Sequence, residues 1–407
     1  MRGVGLNCRT IPSNSFPYMG SDYTTLRIGV LGAGQLGRML ALAAHPLGFQ
    51  LHFLDNDTNA PAANMGFPFH HGSFREAEAV LTFGRQVDIV TVEIEHVAVD
   101  ALEALEAEGK TVYPRPATLR TIQDKGLQKD FLAAHQLPTA AYLLVADRAE
   151  ALARVDAGEI ALPLVQKVRR GGYDGYGVRI HKTRQSLAEQ GFDAPSVLEA
   201  MVDIQLEIAV IVARSATGEV QNFPPVGMNF HPVANQVEFL YVPAGLSEQK
   251  QTEVESVARS LAEELDLVGL LAVEFFLTRE GRWLVNEMAP RPHNSGHLTI
   301  EACETSQFEQ HLRAITGLPL GNTRLRSAAA MANLVGAAGH AGRVHYRGLE
   351  QALALPGVHV HLYGKPHTKP FRKMGHATVL APTAADSLAL AEQVKQLIQV
   401  EAVQESI

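Results

Sequence analysis

Glu274 and Glu287 stand in a segment, Leu271 to Met288 (LAVEFFLTREGRWLVNEM), that reads as a β-hairpin. With Glu280-Gly281 as a two-residue turn, Leu277 pairs with Leu284 and Glu274 with Glu287. Carboxylates so paired have Cβ atoms about 5 Å apart, and like charges that close call for a proton or a cation between them. Hard oxygen ligands with no cysteine nearby favour Mg²⁺, which takes one or two carboxylates together with substrate phosphates. Asn286 flanks the second glutamate. The plainer alternative is a solvated charge pair, and the strongly apolar strands around it argue for the metal.

A second constellation runs from Val165 to Gly177 (VQKVRRGGYDGYG). A strand ends at Lys167, two arginines follow, and then a loop with glycines at 171, 172, 175 and 177. Glycines let backbone N–H groups approach phosphate oxygens, and the lysine adds a point charge. No Gly-Lys-Ser/Thr closes the loop, so it is not a Walker A motif. A mobile hairpin tip with a basic flank is the alternative. A glycine nest, a strand lysine and a Glu/Glu clamp are sufficient parts for phosphoryl transfer, which needs mainly positioning and charge neutralisation.

A third motif, Gly32-Ala33-Gly34-Gln35-Leu36-Gly37, fits GxGxxG between a strand and a helix, with Asp55 placed where a dinucleotide fold carries its ribose acid. Alone it is compatible with a dehydrogenase, or with nothing more than a tight turn and close helix packing. Arg38 inside the helix points to an anion at the helix N-terminus.

The elements that must position these groups follow from periodicity. LRIGVLGA (26–33), LHFLD (51–55) and DIVTVEIEHV (88–97) read as strands separated by helices, the pattern of a parallel doubly wound sheet. A single helix is expected at about 119–134, then a small unit around the glycine loop. Long strands (LEIAVIVAR, AVEFFLT, RWLVNEM) follow, with helices at 248–266 and 305–316, and an alternating tail ends in a helix at about 384–398. The expected organisation is an α/β chain with 1–25 as a disordered extension, 26–120 Rossmann-like, 121–200 a glycine-loop lid and 201–407 a C-terminal α+β unit with its tail.

At 407 residues, with 46% apolar and 19% charged side chains, the chain is of multidomain globular type. A net charge of −8 gives no footprint for nucleic acid or anionic membrane, so any phosphate must be held by local devices. Two cysteines, Cys8 and Cys303, exclude a disulfide framework. No stretch approaches the ~18 apolar residues of a membrane span, and a cytoplasmic location is expected.

With these pieces in order, the chain resembles the ATP-grasp enzymes and, within them, the carboxyaminoimidazole ribonucleotide synthetases. The resemblance runs from Leu26 to the last helix. It is carried by Gly34-Gln35-Leu36-Gly37-Arg38-Met39, Gly171-Gly172-Tyr173-Asp174-Gly175, the run Asn286-Glu287-Met288-Ala289-Pro290-Arg291-Pro292-His293-Asn294-Ser295-Gly296-His297, and Arg372-Lys373-Met374-Gly375-His376. It implies an ATP-grasp fold with a pre-ATP-grasp parallel sheet, a lid and a C-terminal domain. It implies ATP and Mg²⁺ (the choice between Mg²⁺ and Mn²⁺ being left open by the sequence), bicarbonate and aminoimidazole ribonucleotide as partners, and a homodimer.

The resemblance also assigns roles. Lys125 and Lys167 match basic nucleotide contacts, and Gly172, Tyr173, Asp174, Gly175, Tyr176, Gly177 and Val178 match the loop over the phosphates. Glu199, Ala200, Met201 and Val202, with Glu207, match the hinge and acid that hold adenine and ribose; His231 and Asn286 lie on the nucleotide side. Glu274 and Glu287 match the magnesium ligands. Arg291, His293 and Asn294 match the bicarbonate site. Tyr173, Asp174, Arg372 and Lys373 match the aminoimidazole ribonucleotide site, with Gln35 and Glu95 beside it. Tyr176 stands where Arg or Lys is usual, and Arg170 would restore the charge. The implied chemistry is formation of carboxyphosphate from bicarbonate and ATP, followed by carboxylation of the amine inside a closed site.

Three rival readings belong beside this one. His293 and His297 have zinc-pair spacing, but Pro292 and Gly296 argue against a helix there. A formate-dependent sibling that acts on glycinamide ribonucleotide shares the Pro-Arg-Pro-His element but differs at Asn294-Ser295 and the first glycine turn. A nucleotide-binding module without catalysis would be the reading of a different class.

Overall fold

The structure, a computed structural model, describes residues 23–172, 177–231 and 236–403. Five parallel strands open the chain: β1 (Arg27–Leu31), β2 (Gln50–Asp55), β3 (Phe69–His71), β4 (Ile89–Val92) and β5 (Thr111–Val112). Their order is β3-β2-β1-β4-β5. Helices α1 (Gln35–Ala44), α2 (Ala77–Gly84) and α3 (Val99–Ala107) connect them. The strands are apolar without alternation because both faces are covered. Ile28 and Val30 pack with Leu36, Leu40 and the distant Phe308 and Leu312, while Leu31, Val90 and Val92 pack with Phe83, Leu102 and Leu105.

The expected single helix at 119–134 is two, α4 (Pro116–Gln123) and α5 (Lys125–Ala134). Asp124 breaks it by adopting extended geometry (φ −120, ψ 110) and capping α5, its side chain accepting from Gly126 N and Leu127 N. An aspartate that can bond the next turn's N–H groups competes with helix continuation.

A four-stranded antiparallel sheet follows, built from β6 (Tyr142–Val145), β7 (Leu164–Val168), β8 (Val178–His181) and β9 (Ser196–Ala200). Its order is β6-β9-β7-β8, with α6 (Arg148–Asp156) and α7 (Arg184–Gln190) packed on it. The glycine loop joins β7 to β8.

The largest sheet has nine strands: β10 (Ile204–Arg214), β11 (Val220–Asn222), β12 (Val226–Phe230), β13 (Val237–Val242), β14 (Gly269–Thr278), β15 (Trp283–Ala289), β16 (Ala328–Val335), β18 (Val358–Leu362) and β20 (Lys373–Ala381). Its order is β15-β14-β10-β12-β13-β16-β20-β18, with β11 on β10. Helix α8 (Glu248–Glu264) covers one face; α9 (Thr299–Ala302) and α10 (Gln307–Thr316) precede β16. A small sheet of β17 (Gly342–Arg347), β19 (His367–Thr368) and β21 (Gln399–Ala402) completes the tail, with α11 (Leu349–Leu353) and α12 (Ala384–Leu397). The tail thus shares one continuous sheet with the strands that carry the paired glutamates. Among the described residues no helix is long and apolar enough to cross a membrane.

The turn between β14 and β15 departs from the two-residue expectation. Thr278 N donates to Arg282 O, and Gly281 at φ +78 closes a three-residue loop. Leu277 therefore pairs with Trp283, not Leu284. A bulge at Asn286 then restores the register, so that Glu274 does face Glu287.

Candidate active site

Three lysines meet four carboxylates, Glu199, Glu207, Glu274 and Glu287, where α5, the four-stranded sheet, β10 and β14–β15 converge. Lys125 and Lys129, one turn apart on α5, project from the same face. Lys125 Nζ is 2.5 Å from Glu287 Oε1. Lys129 Nζ is 3.1 Å from Glu199 Oε1 and 2.6 Å from Thr139 Oγ1. Lys167 at the end of β7 takes the other oxygen of Glu199 at 2.9 Å and donates to Asn286 Oδ1 at 2.9 Å. Lys129 was not among the residues picked from sequence; its i+4 spacing from Lys125 on one helix is the signal that identifies it. Burial, with Lys167 beside it, brings Lys129 down to about 8 despite Glu199.

Glu207, two residues before the strand partner of Glu274, shares that face of the sheet. Burial and then the charges of Glu287 and Glu207 push Glu274 up to about 7. Burial alone pushes Glu207 to about 7. Burial works the same way on Glu287, but Lys125 and Lys167 outweigh it and hold this carboxyl below its ordinary range. Because Asn286 is the extra residue of the bulge, it comes beside the pair, its Nδ2 3.5 Å from Glu274 Oε2. Two facing carboxylates, one with its proton affinity raised by burial and by its acidic neighbours, form a hard-oxygen donor set that fits a divalent cation, with the Asn286 amide beside them.

The loop after β15 carries Arg291, His293 and Asn294. Arg291 Nε donates to Glu95 Oε2, joining this loop to the end of β4. Burial would raise Glu95, but Arg291 outweighs it and takes the carboxyl to about 2. His293 caps a single 3₁₀ turn (Asn294–Gly296), with Nδ1 2.8 Å from Ser295 Oγ and Nε2 3.8 Å from Glu274. Burial, then Arg291 and Lys373, bring His293 down to about 4, so it is neutral near pH 7. No regular helix holds His293 and His297. Among the described residues no group of three His, Cys, Asp or Glu forms a metal cluster.

The N-terminus of α1 does not present an open anion site. Glu93, from the end of β4, accepts Gly34 N at 2.8 Å and Gly37 N at 3.2 Å, and Asp55 accepts Ala33 N at 2.8 Å. Gly32 has φ +94, and a Cβ there would lie 2.7 Å from Glu93 Oε1. The chain's own carboxylates thus occupy the N–H groups that a dinucleotide pyrophosphate would take. This overturns the anion expected there and leaves the dehydrogenase reading without its site.

Gln35, the first residue of α1, meets the tail instead. Lys365 Nζ donates to Gln35 Oε1 at 3.0 Å and to the Lys373 carbonyl at 2.8 Å. Lys365 was also not picked from sequence, because 330 residues separate it from Gln35. Arg372 donates to His367 O at 2.7 Å. Glu95, Lys125, Gly171, Gly172 and Glu287 line one cleft.

The remaining predicted residues are placed less centrally or not described. Ala200 ends β9, Met201 is 46% exposed beyond it, Val202 follows, and Val178 opens β8. The His231 ring lies 6.3 Å from that of Phe371. Tyr173, Asp174, Gly175 and Tyr176 lie outside the described residues, as does the expected extension 1–25 apart from residues 23–25. Arg170 Nε donates to Asp124 Oδ2 at 3.1 Å.

A parallel sheet, a small antiparallel sheet joined to it through a lysine-bearing helix, and a carboxylate pair on a large antiparallel sheet are the architecture of an ATP-grasp ligase. Residues 130–308 match the ATP-grasp domain, 25–123 the ribonucleotide synthetase preATP-grasp domain and 329–389 the phosphoribosylaminoimidazole carboxylase C-terminal domain. The chain is 38% identical to the N5-carboxyaminoimidazole ribonucleotide synthase of Synechococcus elongatus, over 92% of its own length and 95% of that protein's. It is 37% identical to the synthase of Bacillus subtilis, over 87% and 91%. Against the chloroplastic phosphoribosylaminoimidazole carboxylase of Vigna aconitifolia it is 38% identical but spans only 64% of that protein's length. The crystal structure of the Thermotoga maritima synthetase superposes with a TM-score of 0.85 at 40% identity, covering 93% of this chain and 100% of that one. The Aspergillus clavatus synthase in complex with ADP and 5-aminoimidazole ribonucleotide superposes at 0.84 with 34% identity, covering 92% and 99%. The chain belongs to the N5-carboxyaminoimidazole ribonucleotide synthase family.

Proposed function

We propose that this chain carboxylates the amine of 5-aminoimidazole ribonucleotide, using bicarbonate and ATP and releasing ADP and phosphate, as a step of purine biosynthesis. One observation carries the reading at the level of the site: the Lys125–Glu287 and Glu95–Arg291 pairs line or border the same cleft. A phosphate-handling wall and a wall suited to a small anion and its acceptor therefore adjoin.

In this reading Lys125 and Lys167 bind the nucleotide phosphates under the glycine loop, and Glu207 with the segment 199–202 holds the nucleoside. Glu274 and Glu287, with Asn286 beside them, would hold Mg²⁺ or Mn²⁺. Such a cation neutralises charge on the nucleotide phosphates. Arg291 and Asn294 orient bicarbonate, and neutral His293 completes its pocket. A bicarbonate oxygen bonds to the γ-phosphorus as the bond to ADP breaks, giving carboxyphosphate. The amine nitrogen then bonds to its carbon, or to CO₂ released from it. Phosphate leaves and the amine loses a proton. Gln35, Glu95, Arg372 and Lys373 hold the ribonucleotide, with Tyr173 and Asp174 as further contacts in this reading. The lid closes before chemistry because carboxyphosphate reacts with water. A cytoplasmic homodimer is part of the same proposal, tested by light scattering and fractionation.

The direct experiment measures ADP release from Mg-ATP and bicarbonate with and without aminoimidazole ribonucleotide, against a formate plus glycinamide ribonucleotide control. The expected result is release that requires aminoimidazole ribonucleotide and yields an acid-labile carboxylated product. Release confined to the control would identify the sibling reaction, and nucleotide binding without release in either mixture would identify a binding module.

A further inference from the structure

Behind the site three imidazoles stack in a row, two of them fully buried. The His297 ring, at the end of the loop that carries Arg291 and His293, lies 4.3 Å from the His376 ring at 8°. His376 lies 4.6 Å from His361 at 17°. His361 and His376 are cross-strand partners on β18 and β20, and His361 Nε2 is 2.7 Å from Glu301 Oε1 on α9. Tyr363, the residue after β18, places its hydroxyl 3.0 Å from His376 Nδ1 and 3.3 Å from His297 Nε2. Tyr363, His297 and His376 are each 0% exposed.

A phenol has one proton, so it donates to one imidazole and accepts from the other. Two neutral rings in complementary tautomers satisfy the hydroxyl on both sides, while His297 Nδ1 and His376 Nε2 have no hydrogen-bond partner among the described residues, and burial keeps both histidines well below their ordinary range. The same tyrosine touches the acceptor side of the site. Lys365 lies 5.5 Å over its ring, and Lys365 Nζ reaches Gln35 and the Lys373 carbonyl. The charge of Lys373 acts on both His293 and His297. One hydroxyl therefore ties the loop 290–297 to the strand that begins at Lys373.

We propose that Tyr363, His297 and His376 are positioning residues that hold β20 and its bound acceptor at a fixed distance from the loop bearing Arg291 and His293, so that the carboxyl group passes to the amine and not to water. The inference rests on the carboxylation proposed above. In the productive step the amine nitrogen bonds to the carboxyphosphate carbon, the bond to phosphate breaks and the amine loses a proton. In the wasteful step a water oxygen forms that bond and returns bicarbonate and phosphate. Displacement of about 1 Å between reacting groups slows a step by about 10²-fold, which lets water compete. ATP cleavage itself would not depend on the stack.

The test measures ADP and carboxylated product in one assay, with ATP, Mg²⁺, bicarbonate and aminoimidazole ribonucleotide, for the wild type, Tyr363→Phe, His297→Gln and His297→Ala. Circular dichroism normalises each to folded protein. Tyr363→Phe keeps the ring and removes the hydroxyl; the expected ratio of ADP to product rises about three- to tenfold, with KM for ATP within about twofold of wild type. Glutamine carries a polar group near the place of Nε2, so His297→Gln should stay near the wild-type ratio while His297→Ala rises. Equal loss of ADP and product at an unchanged ratio, in Tyr363→Phe or in His297→Ala, overturns the proposal and leaves a packing role. A wild type that cleaves ATP without making the carboxylated product overturns the functional reading itself.

Discussion

Glu274 and Glu287 face each other across β14 and β15 because Asn286 is an extra residue in β15, a bulge that offsets the three-residue turn at the hairpin's end. Two shifts of one residue cancel. The same bulge puts the Asn286 amide beside the pair and in contact with Lys167.

Glu274→Gln should therefore separate stability from activity. Glu274 has its carboxyl raised to about 7, and its side chain is 19% exposed. A raised carboxylate loses stability as pH climbs from the unfolded value through 7, so its charge is a cost in the unliganded protein near neutral pH. Discounting for solvent, the amide should stabilise the protein by about 1–2 kcal/mol at pH 7.5. ADP release should fall by at least about 100-fold. Thermal melts with and without Mg²⁺ plus ADP check both: the wild type should gain stability from Mg²⁺, and the variant should not.

Glu95→Gln removes the charge that fixes Arg291 against the end of β4. The neutral side chain still accepts one hydrogen bond but no longer orients the guanidinium. Bicarbonate-dependent turnover should drop about 10- to 100-fold while ADP affinity stays within about twofold. Isothermal titration with ADP alongside steady-state rates tests this; equal loss in both would show that Glu95 acts on the nucleotide.

Asp124 accepts from Gly126 N, Leu127 N, Arg169 and Arg170, tying the start of α5 to the base of the glycine loop. Asp124→Ala removes a helix cap and a buried partner of Arg169, and should destabilise the fold by about 2–4 kcal/mol. Asp124→Asn keeps the cap and should lose less. Urea denaturation gives both values, and a result within about 0.5 kcal/mol of wild type for Asp124→Ala would contradict the assignment.

His311 supplies a pH test outside the reaction. Its Nε2 is 2.9 Å from Thr91 Oγ1, joining α10 to β4, and burial depresses it to about 3. Its folded value lies below the unfolded one, so the unfolded chain binds one more proton between about pH 6.5 and 3. Stability from this group is fully present above pH 6.5 and is lost as pH falls. Between pH 6.5 and 4.5 the wild type should lose about 1.4 kcal/mol per pH unit more than His311→Gln. Denaturation at several pH values measures the difference in slope; parallel curves would rule the histidine out.

What the chain's order of residues determined was local. Apolar runs and glycines specified β1, α1 and the β7–β8 hairpin, and the residue types at 167, 274 and 287 were legible as phosphate and cation chemistry because charge on apolar elements has few other uses, whereas Lys125 came only through the family resemblance. The pairing of Glu274 with Glu287 was legible too, though through a turn and a register that differ in detail. What only the tertiary structure decided was who meets whom. Asp124 ties the start of α5 to the glycine loop because Arg169 and Arg170 converge on it. Glu93 filled the N-terminus of α1 because parallel pairing of β1 and β4 brings the ends of those strands together. Lys129, Lys365 and Tyr363 entered the site or its support through contacts between segments far apart in the chain. Periodicity reports which way a side chain faces along its own element; the partner it finds depends on how elements pack, and that is settled by burial summed over the whole fold.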